Sequence, residues 1–107
     1  MTALGPIAEN VMSNFYVDKA FIAAGGITVS QGITAYDSRE ASLSRMIMNN
    51  AKEIMVLADS SKLGVINLYK AADLFEANVI ICDANIPEDW RSELERRNVM
   101  WVSKIKD

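Results

Sequence analysis

The sequence contains no histidine and a single cysteine, Cys82. Without histidine, the chain lacks a common zinc ligand and the general base of serine and cysteine catalytic triads. One cysteine cannot form an internal disulfide, and Cys82 ends the apolar run Val79-Ile80-Ile81-Cys82, where a small buried side chain is its expected role. The sequence therefore indicates no metal site, no cofactor and no cysteine nucleophile.

Basic charge and long apolar runs are also scarce. The net charge is −3 and the pI is near 4.9, so the chain lacks the basic surface with which proteins bind nucleic-acid phosphates. No apolar run approaches the roughly 18 residues of a transmembrane helix. Residues 1–5 show neither the basic nor the apolar region of a signal peptide. We therefore expect a cytoplasmic protein with no membrane partner.

The chain has the composition of an ordinary globular domain. Its 107 residues are 50% apolar and 23% charged. A chain of this length forms one domain with a modest hydrophobic core, because small domains bury a smaller share of their surface. We expect a single domain over residues 1–107.

Short apolar runs alternate with amphipathic segments along the chain. The patterns predict buried strands at 20–24, 54–58 and 79–82, an edge strand at 65–69, a final strand at 99–102, helices at 7–15, 38–52 and 87–97, one helical turn within 71–77, a turn at 30–32 and a loop at 34–38. Residues 27–29 are too few to assign. This order predicts an α/β fold with a mostly parallel sheet and helices on both faces.

The most informative stretch is the apolar run 54–58 followed by Asp59-Ser60-Ser61-Lys62. Open α/β sheets bind ligands outside the carboxyl ends of their strands. A lysine beside hydroxyls and loop amides suits a phosphate, and Asp59 would orient Lys62 or accept a substrate hydroxyl. The alternative is a solvated turn in which Asp59 hydrogen-bonds its own backbone, and the pattern alone favours this alternative.

Gly25-Gly26 and Glu40 are further candidates. Glycines after a strand permit close approach of a ligand, but their spacing matches no nucleotide-binding motif, so a turn without a ligand is the simpler interpretation. Glu40 follows a helix cap at Asp37, and Arg45 on the same helix is expected to be solvated. The functional alternative places Glu40 beside Asp59, where two carboxylates and a lysine would transfer protons as an aldose–ketose isomerase requires.

Several short segments occur in an order that resembles a known family. They are Gly5-Pro6-Ile7-Ala8, Asp18-Lys19-Ala20-Phe21-Ile22, Gly26-Ile27, Gly32-Ile33-Thr34, Glu40-Ala41, Arg45, Val56-Leu57-Ala58-Asp59-Ser60-Ser61-Lys62-Leu63-Gly64, Cys82-Asp83 and Ile86-Pro87-Glu88-Asp89-Trp90. In this order they resemble the C-terminal sensor domain of the DeoR family of bacterial transcription regulators. The similarity covers nearly the whole chain, and Leu-Ala-Asp-Ser-Ser-Lys is its most specific part.

The resemblance implies a fold similar to ribose-5-phosphate isomerase and the CoA transferases. It also implies the effector-sensing part of a regulator, usually a repressor, of carbohydrate catabolism. A phosphorylated sugar would bind here and alter operator binding by a separate N-terminal helix-turn-helix domain. The resemblance implies that Lys62 contacts the phosphate side or the sugar side of the effector. No residue is expected to be catalytic. The expected effector site comprises Lys62, Gly25, Gly26, Glu40, Asp59, Ser60 and Ser61.

The sequence also departs from the family pattern. It has no helix-turn-helix, and the family's glycine-threonine-threonine loop and the early βα portion of the sensor domain would precede Met1. Ser44 stands where family members often carry a second basic residue before Arg45. The resemblance therefore implies a partial effector pocket. Two alternatives are an isomerase-like enzyme using Asp59, Glu40 and Lys62, and an assembly module that forms homo-oligomers through open apolar surface.

Overall fold

The computed structural model describes residues 16–103. The helix predicted at 7–15 lies outside them. The elements in chain order are β1 (Val17–Ala23), β2 (Gly26–Thr28), β3 (Gly32–Ala35), α1 (Ser38–Asn49), β4 (Ala51–Ala58), a 3-10 turn (Ser60–Lys62), β5 (Tyr69–Ala72), a second 3-10 turn (Leu74–Glu76), β6 (Val79–Cys82), α2 (Glu88–Arg96) and β7 (Met100–Ser103). Neither helix of this part of the chain is long and apolar enough to cross a membrane.

The main sheet has four parallel strands in the order β1-β4-β6-β7. Parallel strands cannot be joined by tight turns, so the connections between them carry the helices and the second sheet. The register places Ile22, Val56, Ile80 and Trp101 in one row across the four strands. The predicted α/β fold with a mostly parallel sheet is confirmed.

One face of the parallel sheet forms the hydrophobic core. Val56 and Ile80 on this face are fully buried. Both described helices contribute to the same core, α1 through Met48 and α2 through Leu94. Burying such side chains is the main favourable term in folding, at about 1.5 to 3 kcal/mol each. This face therefore holds the described part of the chain together.

The opposite face of the sheet carries exposed apolar side chains. Phe21 is 60%, Leu57 38% and Met100 61% exposed. Of the buried strands predicted at 20–24 and 54–58, only one face of each is buried. Their side chains alternate between the two faces, and both described helices pack on the same one. The helix predicted at 7–15 lies outside the described residues. The expectation of helices on both faces therefore stays a prediction.

A second sheet of three short antiparallel strands, in the order β2-β3-β5, was not predicted. Thr34 and Ala35 belong to β3, so the predicted loop at 34–38 is wrong for those residues. The strand predicted at 65–69 begins instead at Tyr69 and forms β5. These strands have only three or four residues, which is too few for a periodic pattern, and β3 pairs with β5 across a long stretch of chain.

The helix limits follow local signals more closely. α1 begins at Ser38 as predicted, with Asp37 Oδ1 accepting a hydrogen bond from the Arg39 amide at 2.9 Å. It ends at Asn49 rather than residue 52, because Ala51 already pairs with Val17 in the sheet. Within the predicted helical turn at 71–77, residues 74–76 form a 3-10 turn, while Ala71 and Ala72 end β5.

Candidate functional site

An open cleft of about 500 Å³ lies at the carboxyl ends of β1, β4 and β6. Ligand pockets typically have volumes of about 300 to 1,000 Å³. The strand ends supply an apolar wall, and the residues that follow the strands supply the polar groups. The lining residues are Ala23, Ala24, Leu57, Ala58, Ile81, Cys82, Asp59, Lys62 and Asp83. The cleft occupies the position at which open α/β sheets bind ligands.

Asp59 caps the 3-10 turn that follows β4. Its Oδ1 accepts hydrogen bonds from the Ser61 amide at 2.9 Å and from the Ser61 hydroxyl. The hydroxyl donor and then the amide donor hold the pKa of the Asp59 carboxyl below its usual value. Asp59 is therefore ionised at neutral pH and is a weak proton acceptor. The hydrogen bonds expected for a solvated turn are therefore present, and this turn lies at the rim of the cleft.

Lys62 ends the same turn and is half-buried in the cleft wall. Its amide donates to the Asp59 carbonyl oxygen at 2.9 Å. Within residues 16–103, no carboxylate lies within ion-pairing distance of its ammonium group. The ammonium is nonetheless close enough to contribute to the lowered pKa of Asp59. A lysine in this setting is able to bind an anion without first losing an ion pair.

Asp83 is a cleft residue that sequence reasoning did not include in the site. Its Oδ1 accepts a hydrogen bond from the Ser60 amide at 2.7 Å. The signal was available, because Asp83 directly follows the buried strand β6 just as Asp59 follows β4. Applying the same rule to both strands would have identified it.

Cys82 also lines the cleft, beside Asp83. Its Sγ lies 3.8 Å from Asp83 Oδ1. Burial raises the pKa of the thiol above its usual value. Because the thiolate is the reactive form of cysteine, Cys82 is expected to be unreactive at neutral pH.

Gly25 and Gly26 follow β1 but do not line the cleft. A Cβ atom at Gly26 would overlap the carbonyl oxygen of Val65, and one at Gly25 would lie 2.9 Å from Asn67 Nδ2. The Gly25 amide donates to the Thr34 carbonyl oxygen at 3.1 Å. Close packing of the chain around residues 65–67 therefore accounts for both glycines, and a role in effector binding stays a prediction.

Glu40 lies exposed in the first turn of α1 and does not line the cleft. Because Asn50 alone joins α1 to β4, the helix runs back along the sheet and its first turn lies at the same end as Asp59. Ser60 and Ser61 are exposed in the turn at the cleft rim. The structure thus places Asp59 and Lys62 together with Asp83, and keeps Glu40 and the two glycines out of the cleft wall.

Comparisons with known proteins identify the family. A model of the DeoR C terminal sensor domain matches residues 1–84. The HTH-type transcriptional regulator GlpR of Haloferax volcanii is 29% identical over 102 residues, 95% of this chain and 40% of that protein. The putative aga operon transcriptional repressor of Escherichia coli O157:H7 is 32% identical over 89% of this chain and 35% of its own length. The HTH-type transcriptional repressor GlcR of Bacillus subtilis is 36% identical over 81% of this chain and 33% of its own length.

The chain belongs to the family of DeoR C-terminal sensor domains, and the family predicted from the order of the motifs is confirmed. The family model matches through Asp83 and Ala84, so it includes the three charged residues that line the cleft in the described part of the chain. The chain spans 33 to 40% of the length of the three relatives named above.

Proposed function

We propose that this chain is the effector-sensing part of a transcriptional regulator of carbohydrate catabolism, and that this regulator is a repressor. A phosphorylated sugar binds in the cleft and alters operator binding by a separate helix-turn-helix domain. The proposal rests on Lys62, whose ammonium has no ion pair within the described residues and lies at the carboxyl ends of a parallel sheet. The names of the relatives, which include operon repressors and helix-turn-helix regulators, support the assignment to regulation.

The chemistry of the cleft supports a ligand with both polar and apolar surface. Lys62 offers a mobile positive charge for a phosphate. The carboxylates of Asp59 and Asp83 accept hydrogen bonds from sugar hydroxyls. The apolar wall formed by Leu57 and Ile81 suits the C–H faces of a sugar ring.

The arrangement supports sensing rather than catalysis. A proton-transfer mechanism needs a base with a pKa near the working pH. Hydrogen bonds from Ser61 move the pKa of Asp59 in the opposite direction, downwards. Glu40, the second carboxylate of the isomerase alternative, does not line the cleft. The relatives named above are transcriptional regulators, which also supports a chain without enzymatic activity.

Calorimetric titration of the whole chain tests the proposal. The ligands are glucose 6-phosphate, fructose 6-phosphate and deoxyribose 5-phosphate, each compared with its unphosphorylated sugar and with inorganic phosphate. We expect at least one sugar phosphate to bind and its parent sugar to bind more weakly. Lys62→Gln should weaken that binding by about tenfold or more, because it removes a charge-assisted contact worth about 1.4 kcal/mol or more.

Lys52→Gln is the matched control. Lys52 is an exposed lysine in the amino-terminal half of β4, so the substitution removes the same charge at the other end of the strand. Binding should be unchanged in this variant. Equal binding by both variants, or no binding of any sugar phosphate, would contradict the proposal. In a parent protein that carries the DNA-binding domain, the sugar phosphate should also change operator affinity.

A second candidate function, assembly into homo-oligomers, is favoured by the face of the parallel sheet that neither described helix covers. Phe21, Met55, Val79 and Met100 form one row across that face, and Phe21 and Met100 are 60% and 61% exposed. Contiguous exposed apolar surface of this kind is typical of interaction sites. Light scattering at increasing concentration tests this function, and a monomer throughout would contradict it.

A further inference from the structure

We infer that Asp83 positions the effector-binding turn and makes the cleft selective for sugars with a single anionic group. This inference rests on the proposed function and concerns the same cleft. It assigns to Asp83 a role that neither the turn sequence nor the position of Lys62 alone reveals. Two separate observations carry it: the hydrogen bond from Ser60 and the balance of charge in the cleft.

The hydrogen bond ties the turn to a neighbouring strand. Ser60 is the first residue of the 3-10 turn that ends at Lys62, and its amide donates to Asp83 Oδ1 at 2.7 Å. Asp83 directly follows β6, which pairs with β4. The Asp83 carboxylate therefore bridges the ends of the two strands and restrains the turn that carries Lys62. A charge-assisted hydrogen bond of this length is stronger than a neutral one.

The turn has no amide left for a phosphate. The Ser60 amide donates to Asp83, the Ser61 amide donates to the Asp59 side chain, and the Lys62 amide donates to the Asp59 carbonyl oxygen. Phosphate sites built from backbone amides require N–H groups that point at the ligand. In this turn the ammonium group of Lys62 is the remaining donor with a positive charge. Within residues 16–103, the cleft therefore offers one strong position for an anionic group.

The charges around that position disfavour a second anion. Among the described residues that line the cleft, Lys62 carries one positive charge, and Asp59 and Asp83 carry two negative charges. A ligand whose phosphate contacts Lys62 presents its remaining groups to carboxylates and to apolar strand ends. Hydroxyls donate to a carboxylate, whereas a second phosphate or a sugar carboxylate is repelled. The preferred ligand class is thus a hydroxylated sugar monophosphate.

Binding by Asp83→Asn tests the selectivity. The probes are glucose 6-phosphate with glucose 1,6-bisphosphate, and fructose 6-phosphate with fructose 1,6-bisphosphate. We expect the unsubstituted chain to prefer the monophosphate of the pair it binds. Asp83→Asn should reduce that preference by about fivefold, since it removes one negative charge near the ligand. Asp18→Asn is the control, because Asp18 is exposed in the amino-terminal half of β1, and it should leave the preference unchanged.

Hydrogen exchange at the Ser60 amide tests the positioning role without any ligand. The Asn side chain of Asp83→Asn keeps an oxygen acceptor, so Ser60 should remain protected in that variant. Asp83→Ala removes the acceptor, and exchange at Ser60 should become about tenfold faster or more. Binding of the monophosphate should then fall more in Asp83→Ala than in Asp83→Asn.

The outcomes separate this inference from the proposed function. If the unsubstituted chain binds a monophosphate and Lys62→Gln weakens binding, an unchanged preference in Asp83→Asn overturns the selectivity alone. Unchanged exchange at Ser60 in Asp83→Ala overturns the positioning role. If the unsubstituted chain binds none of the four probes, the selectivity fails. The proposed function fails with it only if deoxyribose 5-phosphate does not bind either, and the exchange measurement still decides the positioning role.

Discussion

Two charged clusters in this chain use the same kinds of groups in opposite ways. In the ion-pair cluster, the Arg45 guanidinium of α1 contacts both carboxylate oxygens of Glu76, at 2.5 and 3.0 Å. Arg45 also donates to the Ala71 carbonyl oxygen at 3.3 Å and to Asn49 Oδ1 at 3.1 Å. In the cleft cluster, Asp59 and Asp83 accept from backbone amides of the turn, and Lys62 has no ion pair with a described residue.

The comparison shows how the partners of a charge determine its use. Arg45 was expected to be solvated, but it joins α1 to β5 and to the second 3-10 turn, so its role is structural. In the cleft, backbone amides already satisfy the carboxylates, and the cation remains available to a ligand. A fully paired cluster contributes to stability, whereas a cation without a partner is suited to binding.

Removing each cation in turn should give the largest difference between the clusters. Arg45→Ala should lower the free energy of unfolding by about 1 to 2 kcal/mol, because it removes the ion pair with Glu76 and the hydrogen bond to the Ala71 carbonyl oxygen. The expected loss of stability is modest because the Arg45 and Glu76 side chains are 38% and 37% exposed. Lys62→Ala should change it by less than about 0.5 kcal/mol. Urea denaturation measures both, and an equal loss in the two variants would remove the distinction.

A double-mutant cycle isolates the pair itself. Arg45→Ala combined with Glu76→Ala should give a coupling energy of about 0.5 to 1 kcal/mol, as expected for a bidentate pair in a network. The same cycle on Asp59 and Lys62 should give less than about 0.3 kcal/mol, because those side chains are not in ion-pair contact. A larger coupling in the cleft would show that Lys62 is paired in solution.

The smallest effect is a difference in pH dependence. The hydrogen bond from Arg45 holds the pKa of the Glu76 carboxyl below its usual value. Since the folded-state pKa is lower than the unfolded one, the stability from Glu76 is present above the unfolded pKa and is lost as pH falls through the folded one. Unfolding free energy should therefore fall less steeply in Glu76→Gln than in the unsubstituted chain, between about pH 5 and pH 3.

Glu95→Gln is the control for that experiment, since Glu95 is exposed on α2 and lies outside the ion-pair cluster. Its profile should follow that of the unsubstituted chain. Identical profiles for Glu76→Gln and Glu95→Gln would show that the Arg45–Glu76 pair contributes nothing to acid sensitivity. Raising the salt concentration should reduce the effect of Glu76→Gln, because both partners are partly exposed to solvent.

Local signals predicted much of the fold and the centre of the candidate site. β6 spans residues 79–82 as predicted, and α2 follows Pro87 with limits within one residue of the prediction. The turn at Asp59 and the position of Lys62 at the end of a parallel strand follow from chain order alone. These features depend on residues close together in the sequence, which is why periodicity and turn chemistry indicate them.

The parts that were missed depend on distant residues. Ile33 pairs with Ala72 in the second sheet, and Ser60 contacts Asp83 across 23 positions of the chain. Arg45 meets Glu76 across 31 positions. No local pattern encodes such partners, so the strands of the second sheet and the role of Asp83 became apparent only in the folded chain.

The stretch from 54 to 62 shows what the sequence determined and what only the tertiary structure decided. By itself the sequence determined the strand, the turn and the α/β class, because each rests on residue types at short spacing. The DeoR sensor family followed from the resemblance in the order of motifs along the chain. The tertiary structure alone decided that Val56 is buried and Leu57 is 38% exposed, and that Asp83 holds the turn. The physical reason is that burial and hydrogen bonding depend on which residues are neighbours in space, and only the folding of the chain determines those neighbours.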